Sequence, residues 1–256
     1  MMEDSTTKYL EEPELKNTIL VEGLPGIGLV GKLAADHLHD ELKTTKFAEI
    51  YSPYLPPQVN IQPDGTVELV KMHFHYYKGK EKDIIFLLGD FQGISPDSQY
   101  RLTDKTLDLA ERFNVKTLIT LGGLGTGAIT HTPRVFGATT SKGLKPGLEE
   151  HGVIFKGGGA IFGASGLLLG LGMERGFDGI CLMGETHGQI IDAKSAEAVL
   201  NVLTKIIGLD VDMAALEKKA KDTEEQISQM GKMISSYKEQ AERQQELMSE
   251  TPTYIR

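Results

Sequence analysis

Thr18-Ile19-Leu20-Val21-Glu22-Gly23-Leu24-Pro25-Gly26-Ile27-Gly28-Leu29-Val30-Gly31-Lys32-Leu33 is the stretch from which the fold is read. Its first four residues are apolar enough for a buried strand, and the glycines that follow lead into a helix over 29–42. A strand, a glycine turn and a helix in this order form the first half of a parallel α/β unit.

The same alternation continues downstream. Phe47–Tyr51 reads as a second strand, and Val59–Ile61 with Thr66–Val70 reads as a hairpin turned by Pro63-Asp64-Gly65. Ile84–Leu88 is the continuous apolar run of a central parallel strand. Ser95-Pro96-Asp97-Ser98 supplies helix-starting residues ahead of a helix over Tyr100–Phe113. Thr117–Leu121 and Gly179–Met183 are further strands, with helices over Ile161–Gly172 and Ala193–Ile207. The expectation is an α/β fold, a doubly wound or related sandwich with an antiparallel excursion near residues 59–77.

Composition narrows the function classes. The 256 residues carry a net charge of −9 with no long basic cluster, which argues against sequence-independent nucleic-acid binding. Ala160–Met173, the most apolar stretch, is broken by glycines and falls short of the ~18 residues of a membrane span. The polar, acidic start is unlike a signal peptide, and the single cysteine, Cys181, excludes an internal disulfide. A cytoplasmic protein that binds neither nucleic acid nor membrane is expected.

Several residue sets invite a chemical reading. Gly26, Gly28 and Gly31 match the dinucleotide pattern G-x-G-x-x-G, and Glu49 stands about 20 residues on, where a ribose-binding acid belongs. The same glycines nearly match a phosphate-binding loop, but Leu33 occupies the position where a hydroxyl reaches magnesium. The competing reading is a tight turn where helix and sheet pack closely. Asp90, Thr126, Glu185, Thr186 and His187 follow strands and are candidates for one crevice at the strand ends. His73 and His75 share one face of a strand, a metal-compatible arrangement without an obvious third ligand, so a solvated face is expected. Cys181 is read as a core residue.

The last 45 or so residues differ from the rest. From Met213, residues Leu216, Ala220, Thr223, Ile227, Met230, Ile234, Tyr237, Ala241, Gln244 and Met248 recur at spacings of three and four. This heptad pattern predicts a helical stalk whose seam is Leu216, Ile227, Met230, Ile234 and Tyr237. Gly231 and weak seam positions make it too poor to assemble alone, and the alternative is one amphipathic helix lying on its own body. The expected organisation is a body over 1–209, a stalk over 210–250 and an extended tail over 251–256.

Gly23–Gly31, Leu121-Gly122-Gly123 with Thr126-Gly127, and Gly184-Glu185-Thr186-His187-Gly188 ahead of Asp192-Ala193-Lys194-Ser195-Ala196 together resemble the archaeal branch of the proteasome assembly chaperone family. The resemblance covers about 15–207. It implies a three-layer fold like that of nucleoside phosphorylases and related hydrolases, no catalytic activity, no cofactor, homo-oligomerisation and binding to proteasome α subunits or the mature proteasome. It also implies docking of a carboxyl-terminal tail, here Tyr254, Ile255 and Arg256. Tyr254 is third from the end where the family places it second, so the tail must bend for tyrosine and carboxylate both to dock. The rival expectation is a nucleotide-binding or phosphorylase-like enzyme using Gly26, Gly28 and Gly31.

Overall fold

The computed structural model describes residues 4–222. In chain order its elements are β1 (Thr6–Tyr9), β2 (Ile19–Glu22), a 3-10 turn at Ile27–Leu29, α1 (Val30–Leu42), β3 (Thr45–Tyr51), β4 (Val59–Ile61), β5 (Val67–Leu69), β6 (Met72–Tyr77) and β7 (Ile84–Gly89). Then come α2 (Pro96–Arg112), β8 (Thr117–Gly125), β9 (Val135–Thr139), α3 (Lys145–Glu150), α4 (Gly163–Glu174), β10 (Asp178–Thr186) and α5 (Ala193–Ile207).

Eight of the strands form one sheet in the order β1-β3-β6-β7-β2-β8-β10-β9. The central four, β7, β2, β8 and β10, are parallel. Antiparallel strands flank them, β6, β3 and β1 on one side and β9 on the other. β4 and β5 stand apart as a two-stranded antiparallel sheet.

Alternation along the central strands builds two cores. Ile19 and Val21 of β2, with Ile84 and Phe86 of β7, pack beneath α1 and α5. Leu20 of β2, with Ile85 and Leu87 of β7, packs beneath α2 and α4. The expected mixed α/β sandwich is therefore present, with the sheet between two helical layers.

Helix boundaries follow local chemistry. The Ser95 side chain accepts from Ser98 N (3.2 Å) while the Ser98 hydroxyl accepts from Ser95 N (2.7 Å), a reciprocal cap that starts α2. Asp192 accepts from Ser195 N (2.9 Å) to start α5, and Gly208 at φ +71° ends it. β1 and β9 were not expected. Each is a sheet edge with one strand partner, and neither Thr6-Thr7-Lys8-Tyr9 nor Val135–Thr139 carries a long apolar run.

Beyond Gly208 the chain turns back onto the body instead of leaving it at residue 210. Leu209, Val211 and Met213 pack against the core beneath α1 and α5. The Asp212 carboxylate caps a helix over 214–222 by accepting from Ala214 N (2.9 Å), and His37 Nε2 donates to the Asp212 carbonyl (2.7 Å). Leu216 and Ala220 are 1% and 2% exposed within that core. Leu216, expected as the first seam residue, thus faces its own body, because burial there is already complete within one chain. The other seam residues, Ile227, Met230, Ile234 and Tyr237, and the tail residues Tyr254, Ile255 and Arg256, lie outside the described residues. Among the described residues no helix is long and apolar enough to cross a membrane.

Leu216→Ala should therefore lower stability by about 3 kcal/mol, the usual range for a buried leucine. Urea unfolding at several protein concentrations checks this. The loss should not depend on concentration, whereas a residue buried only between chains would give a loss that does.

Candidate functional site

The turn at Gly26–Gly31 is a packing device. A methyl group at Gly31 would lie 2.1 Å from the Leu121 carbonyl oxygen, and one at Gly23 would lie 2.0 Å from Ala35 Cβ. Gly28 takes φ +63° and Leu29 φ +52°, so the chain enters α1 through two left-handed residues. Gly123 of β8 is equally constrained, since a methyl there would lie 2.4 Å from the Ile27 carbonyl oxygen. Glu49 also argues against the dinucleotide reading. It sits on β3, three strand spacings from β2, about 14 Å away, where the ribose acid would need the adjacent strand. Lys71 (2.8 Å), Lys46 (2.9 Å) and the Tyr51 hydroxyl (2.9 Å) surround it. Burial alone would raise this carboxyl, but those partners pull it down to about 2.

A cleft of 480 Å³ opens where the parallel strands end, lined among others by Ile27, Gly123, Phe162, Ser165, Cys181 and Met183. Phe162, at 84% exposed, stands at its rim. Gln92 ties two walls together. Its Nε2 donates to the Pro25 carbonyl (2.5 Å) and its Oε1 accepts from Ala164 N (3.0 Å) at the start of α4.

Beneath the cleft lies Glu22, which is fully buried. It accepts from Leu24 N (2.9 Å) and from the Ser165 hydroxyl (2.8 Å). Burial pushes its carboxyl up to about 7, with the Leu24 backbone, Ser165 and Leu121 backbone bonds acting in the opposite direction. Sequence reading missed Glu22 and Gln92 because a lone acid closing an apolar run and a lone loop amide carry no pattern. Cys181 is buried as expected, and burial pushes its thiol up to about 12, far from a reactive thiolate.

The residues expected to converge divide into two places. Glu185 accepts a two-pronged pair from Arg134 (2.8 and 2.7 Å), which lowers its carboxyl pKa. The Thr186 hydroxyl donates to Asp192 (2.7 Å), the Ser195 hydroxyl donates to the Glu185 carbonyl, and Thr126 N donates to the Thr186 carbonyl (2.8 Å). This run is a latch joining the end of β10 to the start of α5. His187 adjoins it, with Nδ1 buried and unpartnered.

Asp90 is elsewhere. It pairs with Lys32 (3.3 Å) and lines a separate 240 Å³ pocket with His39, His73 and His75. His73 Nδ1 and His75 Nε2 share a hydrogen bond of 3.0 Å, and the His39 ring stands 4.4 Å from that of His75. The expected solvated face is in fact covered. Burial lowers His73 to about 4 and His75 to about 3, so both imidazoles are neutral near pH 7. Among the described residues no group of three or more His, Cys, Asp or Glu is placed to hold a metal ion.

The pattern that defines the PAC2 family matches residues 20–230. The chain belongs to the PAC2 family. It is similar to PbaB of Pyrococcus furiosus, described as an archaeal proteasome activator: TM-score 0.85, 43% identity, covering 90% of this chain and 100% of that one. It is also similar to Pyrococcus furiosus PbaA, an archaeal homolog of proteasome-assembly chaperone, with TM-score 0.77, 31% identity and coverage of 96% and 99%. An uncharacterised protein of Methanocaldococcus jannaschii, MJ1210, is 41% identical over 91% of this chain and 90% of its own length.

Two predictions follow from this geometry. Gly31→Ala should lower stability by about 3 kcal/mol through overpacking, while Gly26→Ala, with open space around it, should be nearly neutral. Chemical unfolding of both variants distinguishes packing from phosphate contact, which would penalise either change without altering stability. For Glu22 the raised carboxyl means that the folded chain holds this proton more tightly than the unfolded chain. Its contribution is most favourable below pH 4.5 and is lost as pH rises to about 7. Wild-type stability minus that of Glu22→Gln should accordingly fall by about 3 kcal/mol across that window and stay level above it.

Proposed function

We propose that this chain is a non-enzymatic adaptor of the proteasome, an assembly chaperone or activator that works in the cytoplasm, self-associates and docks carboxyl-terminal tails on the α-ring. The observation that carries the reading is the likeness to the proteasome activator PbaB over 90% of this chain and the whole of that one. The site chemistry supports it. Glu22, Gln92, Glu185, Thr186 and Asp192 are all engaged in ties between secondary-structure elements.

In this reading the contact is made by Tyr254, Ile255 and Arg256, carried beyond the body on the heptad-patterned segment. Pro252 disfavours a helix running on to the tip. Single tails bind weakly, and several tails on one assembly gain through effective concentration where their spacing matches the ring's pockets. Self-association is therefore part of the mechanism.

Native mass spectrometry of the full chain and of a form lacking Tyr254–Arg256, each mixed with proteasome α subunits or with mature proteasome, tests the reading. The full chain should form a complex with one of these partners. The truncated form should lose it while keeping its own oligomeric mass. Equal binding by both forms would contradict tail docking, and no binding by either would contradict the adaptor role.

A further inference from the structure

The β4–β5 hairpin leaves its aliphatic side chains exposed. Its register places Val59 opposite Leu69 and Ile61 opposite Val67, so all four share one face. They are 47%, 55%, 78% and 65% exposed, respectively. The other face carries Asn60 opposite Glu68, and those two residues line the pocket that also holds Lys71, His73 and Asp90. Glu68 accepts from Lys71 (2.5 Å) and from Gln62 Nε2 (3.2 Å). Glu68 is itself exposed, so the hairpin stands out from the body with its four aliphatic side chains open to solvent.

A two-stranded sheet is marginal in water unless its apolar face packs on something. Among the described residues nothing covers this face. Beside it runs an uncharged groove of 640 Å³ walled by Tyr51, Pro53, Leu55, Pro56 and Pro57, with Val59 and Leu69 at its margin. The outer end of the hairpin carries the protruding Ile61 and Val67, and its root carries the groove.

We propose that this hairpin and groove form an isologous interface with a second copy of the chain, Ile61 and Val67 of each copy seated in the groove of the other. The inference rests on the self-association in the functional reading above and assigns it a surface. An aliphatic knob beside an uncharged groove can be self-complementary about a two-fold axis, and among the described residues no charged side chain lines the groove to select a charged partner. The area agrees. Four aliphatic side chains this exposed present on the order of 400 Å², the size of the largest apolar patch on a typical monomer. Two such faces fall short of the roughly 1,200 Å² of a stable interface, so the groove walls must join the contact.

Sedimentation velocity of the full chain over a concentration series tests the assignment, with Ile61→Glu/Val67→Glu compared with Leu10→Glu, an exposed apolar residue just beyond β1. The wild type should self-associate. The double variant should raise the dissociation constant at least ~100-fold with unchanged far-ultraviolet circular dichroism, as expected for central interface residues, and Leu10→Glu should not change it. A double variant that assembles like wild type, or an equal loss in both variants, overturns the surface assignment and leaves the proteasome reading standing. A wild type that is monomeric throughout overturns the self-association reading as well. If the double variant fails to fold, hydrogen exchange of wild type diluted through its dissociation decides instead. The amides of 59–69 should lose protection on dissociation, and unchanged protection would overturn the proposal.

Discussion

Helix α1 lies against the sheet at a separation that only glycine permits. Gly31 passes over the Leu121 carbonyl and Gly23 passes under Ala35 with no room for a methyl group at either crossing. That approach sets where α1 begins, and so places the turn through Gly28 and Leu29 between β8 and the end of β10. The cleft, the Glu22 carboxylate and the Thr186–Asp192 latch all take their positions from it. Interiors packed to this density transmit a change at one crossing to the whole strand-end region.

The same constraint explains why the glycine pattern invites a nucleotide reading and does not support one. Glycines at a strand-to-helix turn permit close backbone approach whether the approaching group is a phosphate or another strand. Here the approaching group is β8. The acidic residue that would complete a dinucleotide site stands on β3 in a lysine-rich cluster, because β7 and β6 intervene between β2 and β3.

Much of the fold was legible in sequence where local signals and burial agree. The apolar runs of β2, β7, β8 and β10, the Ser95-Pro96-Asp97-Ser98 start of α2 and the Pro63-Asp64-Gly65 turn all carried their own evidence. The edge strands β1 and β9 did not, since half-exposed strands need no continuous apolar run. Turn chemistry identified the hairpin, but not that its aliphatic side chains are left exposed. Likewise His73 and His75 share a side as read, and only the tertiary fold covers them. Glu22 illustrates the general limit: a single carboxylate acquires its character from burial and from a hydroxyl 143 residues away.

The body explains its own stability, and in this account function is exported to the tail. Hydrogen exchange of the full chain with and without mature proteasome tests that division most directly. The account predicts new protection confined to residues 251–256, with the amides of Gly26–Gly31 and Gly122–Gly125 unchanged. Protection appearing at those glycine loops, with the tail unaffected, would contradict it.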